Sequence, residues 1–174
     1  MLQNYNRYKI LKVFLYNSTE SFRLRELSRL SKLAPLSVMN YLKEFEKSGL
    51  IKKYKKRDIP FYQANRDNES FKLYQKISVL YELQVSGLVD YLWEKVHPEA
   101  IILYGSYTKG EAIEGSDIDI FILGKERSLD IKEFESKMNK KTHIIFEDNV
   151  KIISNELKNN LINGIVLKGY FKAF

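Results

Sequence analysis

Residues 101–123 read IILYGSYTKGEAIEGSDIDIFIL. An apolar run, 101–104, meets Gly105-Ser106. Gly110 follows, then a polar turn at Glu114-Gly115-Ser116, and Asp117 and Asp119 open a second apolar run over 118–123. The pattern predicts strand, glycine turn, helix, turn, strand. A strand passing through Gly-Ser into a helix leaves free backbone N–H groups where phosphate oxygens bind. Gly105 lets the backbone come close, and the Ser106 hydroxyl adds a hydrogen bond. Asp117 and Asp119, two apart on a strand, point to one face, while Ile118, Ile120 and Ile122 point to the other, into a core. Two carboxylates on one face make a seat for Mg²⁺ (or Mn²⁺), completed by substrate phosphates. A triphosphate cradle facing such a seat suits in-line attack at phosphorus.

The spacing Gly105-Ser106-x3-Gly110-x5-Ser116-Asp117-x-Asp119 resembles the signature of the DNA polymerase beta superfamily of nucleotidyltransferases, in particular its small minimal members from archaea and bacteria. The tight match spans about residues 100–123. The resemblance implies a small mixed sheet with helices, and transfer of a nucleoside monophosphate from an NTP, ATP first, to a hydroxyl. Gly105, Ser106, Lys109, Gly110 and Ser116 would bind the nucleotide, and Asp117 and Asp119 the metal. The superfamily has a third acid on the strand after Asp-x-Asp. That strand reads THIIFE over 142–147, and the matching position is His143. Glu147 shares its face but lies roughly 13 Å further along, at ~3.3 Å per residue. A histidine accepts a proton or binds a metal but supplies no negative charge. The catalytic set implied is therefore Asp117, Asp119 and His143. Minimal relatives of this type often act as antitoxins that modify a helical toxin.

The whole chain has 174 residues, 44% apolar, no cysteine and two histidines. Disulfides and cysteine-based zinc sites are excluded. No apolar run approaches the ~20 residues a membrane span needs, and the first residues lack a signal-peptide pattern, so a cytoplasmic protein without a membrane partner is expected. Charge is uneven. Residues 1–66 hold 15 Lys/Arg against 5 Asp/Glu, a balance of +10, and residues 67–174 hold 14 against 17, a balance of −3. A basic module joined to a near-neutral one is the footprint of a nucleic-acid partner.

Within the basic part, helices are predicted over 6–16, 24–31 and 35–48, with a break at 18–21. Strands are predicted over 50–56 and 61–65, around a tip at 57–60. Three helices and a basic hairpin resemble a winged helix-turn-helix of prokaryotic transcription regulators. The resemblance puts Ser37, Asn40, Tyr41 and Lys43 on or near the face that enters a major groove of double-stranded DNA. It puts Lys52, Lys53, Lys55, Lys56 and Arg57 in a wing that grips phosphates.

Residues 67–97 carry an apolar stripe and no proline before Pro98, and predict one long linker helix that also pairs two copies into a homodimer. A helix over 131–139 capped by Ser128 or Asp130, a third strand over 142–147, a helix over 154–163 and a closing strand over 165–167 complete the chain. The expected organisation is α+β / α/β: a winged helix-turn-helix over 1–66, the linker helix over 67–97 and a nucleotidyltransferase domain over 98–174. The expected function is a DNA-binding nucleotidyltransferase with an autoregulatory, antitoxin-like role. The alternative is a transcriptional regulator whose degenerate nucleotidyltransferase domain only binds nucleotide or mediates assembly.

Overall fold

A computed structural model describes residues 5–172; the outermost residues of the two expected domains, 1–4 and 173–174, lie outside the described residues. The chain is a mixed α+β structure with two sheets. It divides into two compact units. The first holds the chain through Ser78 together with Gly110–Glu114; the second holds Val79–Lys109 and the chain from Gly115 on.

The first unit contains α1 (Asn6–Tyr16), β1 (Ser21–Phe22), α2 (Leu24–Ser31), α3 (Pro35–Lys47), β2 (Ile51–Lys56) and β3 (Ile59–Ala64). Helical spacing collects Ile10, Leu11, Phe14, Leu27, Val38, Leu42 and Phe45 on one side of their helices, where they join Phe22, Ile51, Tyr62 and Phe71 in one core. Phe14, Phe45 and Phe71 are fully buried, each burial contributing about 2–3 kcal/mol. Pro35 sits in the first turn of α3, where its missing N–H costs nothing. Beyond the other end, Gly49 takes φ +73, and the Leu50 N–H donates to the Phe45 carbonyl.

The expected break at 18–21 is in part a strand. β1 is two residues long and joins the hairpin in the order β1-β3-β2, with Ser21 opposite Gln63 and Phe22 opposite Tyr62. The hairpin tip is shorter than expected. Arg57 and Asp58, at φ +51 and +61, make a two-residue turn between the paired Lys56 and Ile59. Pro60 is tolerated in β3 because β1 pairs only with Tyr62 and Gln63, so the Pro60 outer edge needs no donor.

The segment Gly110–Glu114 is bound into this unit by side chains. The Ser18 hydroxyl and the Gln75 amide both donate to the Ala112 carbonyl, each at 2.9 Å. The Thr19 N–H and hydroxyl donate to the Glu114 carboxylate at 2.9 and 2.5 Å. The short hydroxyl–carboxylate bond is the kind that ionised acceptors make.

The single helix expected over 67–97 is two. α4 (Glu69–Ser86) is capped by Asn68, whose side chain accepts the Phe71 N–H at 2.9 Å. It stops at Gly87, which takes φ +81, and α5 (Leu88–Val96) begins there. Leu73, Tyr74, Ile77 and Val85 of α4 are exposed.

The second unit is a four-stranded sheet in the order β6-β5-β4-β7, built from β4 (Ala100–Tyr104), β5 (Ile118–Leu123), β6 (Thr142–Glu147) and β7 (Ile165–Gly169). β5 and β6 are parallel, joined through α7 (Lys132–Met138); the other pairs are antiparallel. α6 (Ser106–Lys109) is a single turn after β4, and α8 (Asn155–Ile162) precedes β7. Both faces of β4 and β5 are buried, which explains their near-continuous apolar runs. On one face Ala100, Ile102, Phe121 and Leu123 pack with Ile153 and Leu161. The residue at the N-cap of α7 is Ile131, without a side-chain bond; the Asp130 carboxylate accepts the Lys132 N–H instead, at 3.3 Å.

Candidate active site

Register brings the chemistry to one end of the second sheet. Asp119 lies in β5 between two cross-strand neighbours, Tyr104 of β4 and His143 of β6. Gly105 follows Tyr104 directly, so the glycine turn and the Asp119 carboxylate meet. The Asp119 Oδ2 fills the space a side chain at 105 would need, and Gly105 takes φ +80. On the other side, the Asp119 Oδ1 lies 3.3 Å from the His143 Nδ1. The Asp119 side chain is 27% exposed and that of His143 57%. Asp117, just before β5, is exposed.

The turn itself is braced from below. Tyr107 of α6 is buried, and its hydroxyl donates to the Ser116 carbonyl at 3.4 Å. The Thr108 hydroxyl donates back to the Gly105 carbonyl at 2.8 Å. Burial, then the charges of Glu82 and Asp117, push the Tyr107 phenol well above its ordinary range, so it stays a neutral donor. Tyr104 is pushed up to about 12 by burial and by Asp119. Ser106 is half-buried at the start of α6 and Lys109 is exposed at its end. At Gly110, expected at the nucleotide, a Cβ would stand 2.5 Å from the Lys72 carbonyl oxygen and 2.7 Å from its Cα, within the first unit. That approach by itself demands a glycine.

Residue composition did not point to Tyr107 or to Glu135. Glu135 of α7 accepts the Thr142 N–H at 2.8 Å and the Lys141 ammonium at 2.9 Å. Lys141, then the Thr142 bond, holds its carboxyl below the usual range. It thereby ties α7 to the first residue of β6, one position before His143. Both residues read as ordinary helix positions in sequence.

Among the described residues, no three His, Cys, Asp or Glu side chains form a group that holds a metal ion on its own. The donor set of Asp117 and Asp119 instead fits Mg²⁺ arriving with nucleotide phosphates, since that ion is commonly held by one or two carboxylates plus substrate oxygens.

In the first unit, Asn40 and Lys43 are exposed on α3, Ser37 is half-buried, and Tyr41 packs partly onto the core. Lys52, Lys53, Lys55, Lys56 and Arg57 are all exposed. Lys52 pairs with Asp67 at 3.1 Å. No helix of the described residues is long and apolar enough to cross a membrane.

Residues 86–170 match the family described as Polymerase beta, Nucleotidyltransferase. The match takes in the glycine turn, both aspartates and His143, and supports a nucleotidyltransferase domain in this part of the chain. No curated protein matches the chain.

Proposed function

We propose that the second unit transfers a nucleoside monophosphate from an NTP, ATP in the first instance, to a hydroxyl acceptor. The observation that carries this is the meeting of the Gly105-Ser106 turn with the Asp119 carboxylate inside the matched segment. Backbone N–H groups at Gly105 and Ser106, with Lys109, would hold the β- and γ-phosphates. Asp117 and Asp119 would hold Mg²⁺, which when bound neutralises charge on the phosphates. The acceptor oxygen bonds to the α-phosphorus, the bond to pyrophosphate breaks, and pyrophosphate leaves. His143, 3.3 Å from the Asp119 Oδ1, would take up the hydroxyl proton.

The test is incubation with α-labelled ATP and Mg²⁺ alongside an Asp117→Ala/Asp119→Ala variant, with a lysate as acceptor. Label that reaches a macromolecule only with the parent chain supports the enzyme. No transfer and no nucleotide binding overturns it. Aspartate-dependent binding without transfer favours the second reading, a regulator that senses nucleotide, which the histidine in the third acid's place also favours. His143→Asp is expected to raise transfer about tenfold or more, since a well-placed base contributes ~10²–10⁴-fold. No gain would show that the third acid is not what limits turnover.

In the same reading, the first unit is a winged helix-turn-helix that binds double-stranded DNA through α3 and the lysines of β2. Replacing Lys52, Lys53, Lys55 and Lys56 with alanine is expected to weaken duplex binding. It should flatten the dependence of log K on log salt by ~0.9 for each lysine that sits on a phosphate. An unchanged slope would remove the hairpin from the interface. A second copy would pack on the exposed Leu73, Tyr74, Ile77 and Val85 of α4, and a monomer mass by light scattering would exclude that dimer. An antitoxin role would add a helical toxin as the acceptor of the transferred nucleotide.

A further inference from the structure

The sheet of the first unit has two unlike faces. Phe22, Ile51, Tyr62 and Ala64 point into the core. Strand alternation therefore puts Ser21, Lys52, Tyr54, Lys56, Ile59, Phe61 and Gln63 on the opposite, open face. At its centre Tyr54 and Phe61, directly paired across β2 and β3, lie with ring planes 17° apart and centroids at 5.9 Å. Tyr54 is 42% exposed. The Arg23 guanidinium stands over Phe61 at 5.0 Å, and the Tyr54 hydroxyl donates to the Ser21 Oγ at 2.8 Å, which fixes the ring. Lys52 and Lys56 flank the pair along β2. Among the described residues neither Arg23 nor Lys56 has a carboxylate partner, so two cations remain for an outside anion.

An exposed tyrosine and the half-buried phenylalanine it stacks on, bordered by Arg and Lys, are poor elements for a duplex. A paired base hides its face in the stack, and only backbone and groove edges remain. They suit unpaired bases, whose faces stack on aromatic side chains while cations track the phosphates. We propose that this open face is a binding site for single-stranded nucleic acid, with Tyr54 as the stacking platform, backed by Phe61, and Arg23 and Lys56 as phosphate contacts. The site lies off the α3 face, shares Lys56 with the proposed duplex contacts and does not depend on the transfer reaction.

Anisotropy of short labelled oligo(dT), oligo(U) and a blunt duplex, titrated with the full chain, tests it. Tyr54→Leu and Phe61→Leu keep an apolar side chain on the sheet; each is expected to weaken single-strand binding about tenfold or more. Tyr54→Phe keeps the ring, loses the bond to Ser21, and is expected to bind as the parent does. Thermal unfolding of each variant checks the fold. The single-strand slope of log K on log salt is expected to be about −1.4, at ~0.7 per contact, and to fall toward zero as Arg23 and Lys56 are changed to Gln. The comparison of oligo(dT) with oligo(U) shows whether DNA or RNA is the natural ligand. The proposal is overturned by no single-strand binding by the parent chain, by unchanged single-strand binding in both leucine variants, or by an equal loss of duplex binding. Tyr54→Phe failing as Tyr54→Leu does also overturns it, because the hydrogen bond and not the ring would then matter.

Discussion

Gly105→Ala is expected to lower nucleotidyl transfer by about 100-fold or more. The added Cβ would fall on the Asp119 Oδ2, with the Asp119 Cγ only 3.1 Å away and its Cβ 3.3 Å away. One of the two must move. The backbone at 105 is the tight turn between β4 and α6, so the carboxylate gives way. A displacement of ~1 Å in a positioned catalytic group costs ~10²-fold. The Asp119 Oδ1 contact to His143 would go with it.

This assigns Gly105 a different task from the one its motif suggests. Glycine before a phosphate-binding helix is usually explained by close approach of the ligand to the backbone. Here the room beside Gly105 already holds a side chain. A double-variant cycle separates the two explanations, with nucleotide affinity as the readout because it survives loss of turnover. If the glycine makes room for Asp119, Gly105→Ala weakens nucleotide binding more in the parent chain than in an Asp119→Ala background, where the carboxylate is gone and only the left-handed backbone strain remains. If it makes room for phosphate, the loss is the same in both backgrounds.

The strand–turn–strand core of this site was legible because two signals coincided. Apolar runs bounded the strands, and glycines marked the turn, where φ is +80 at Gly105. Side-chain parity also put Asp119 and the strand's own Ile118 and Ile120 on opposite faces. The pairing of Asp119 with His143 follows from register, which a sequence does not state. What escaped has physical reasons too. β1 has two residues, too few for alternation to be seen. Gly87 ends a helix whose apolar stripe continues past it, so periodicity hides the break. The Tyr54–Phe61 pair needs the hairpin's register, and the lysines around it read as charge alone. The attachment of Gly110–Glu114 was least visible of all. Its partners, Ser18 and Thr19, are 94 and 95 residues away in sequence, and no local pattern records such a bond.

That attachment sets the second large effect. Gly110→Ala is expected to destabilise the chain by about 3 kcal/mol, from left-handed backbone strain of ~1–2 kcal/mol and overpacking of ~1–3 kcal/mol. The Cβ would stand 2.5 Å from the Lys72 carbonyl oxygen and 2.7 Å from the Lys72 Cα and Cβ. A helix backbone, here the first turn of α4, has little freedom to retreat. In a chain of this length ~2–4 °C accompanies each kcal/mol, so the thermal midpoint should fall by roughly 6–12 °C. Gly115→Ala is the internal control. Gly115 has nearly the same backbone, φ +76 against +71, but a Cβ there meets nothing within 4 Å. It should cost the strain alone, ~1–2 kcal/mol. The difference between the two midpoints measures how firmly the Gly110 backbone is pressed on α4. Equal midpoints would mean that this approach relaxes freely and that the bonds to Ser18, Thr19 and Gln75 hold the segment without it. A clear gap would mean that the chain between the glycine turn and the two aspartates is clamped at its first residue, one position after α6.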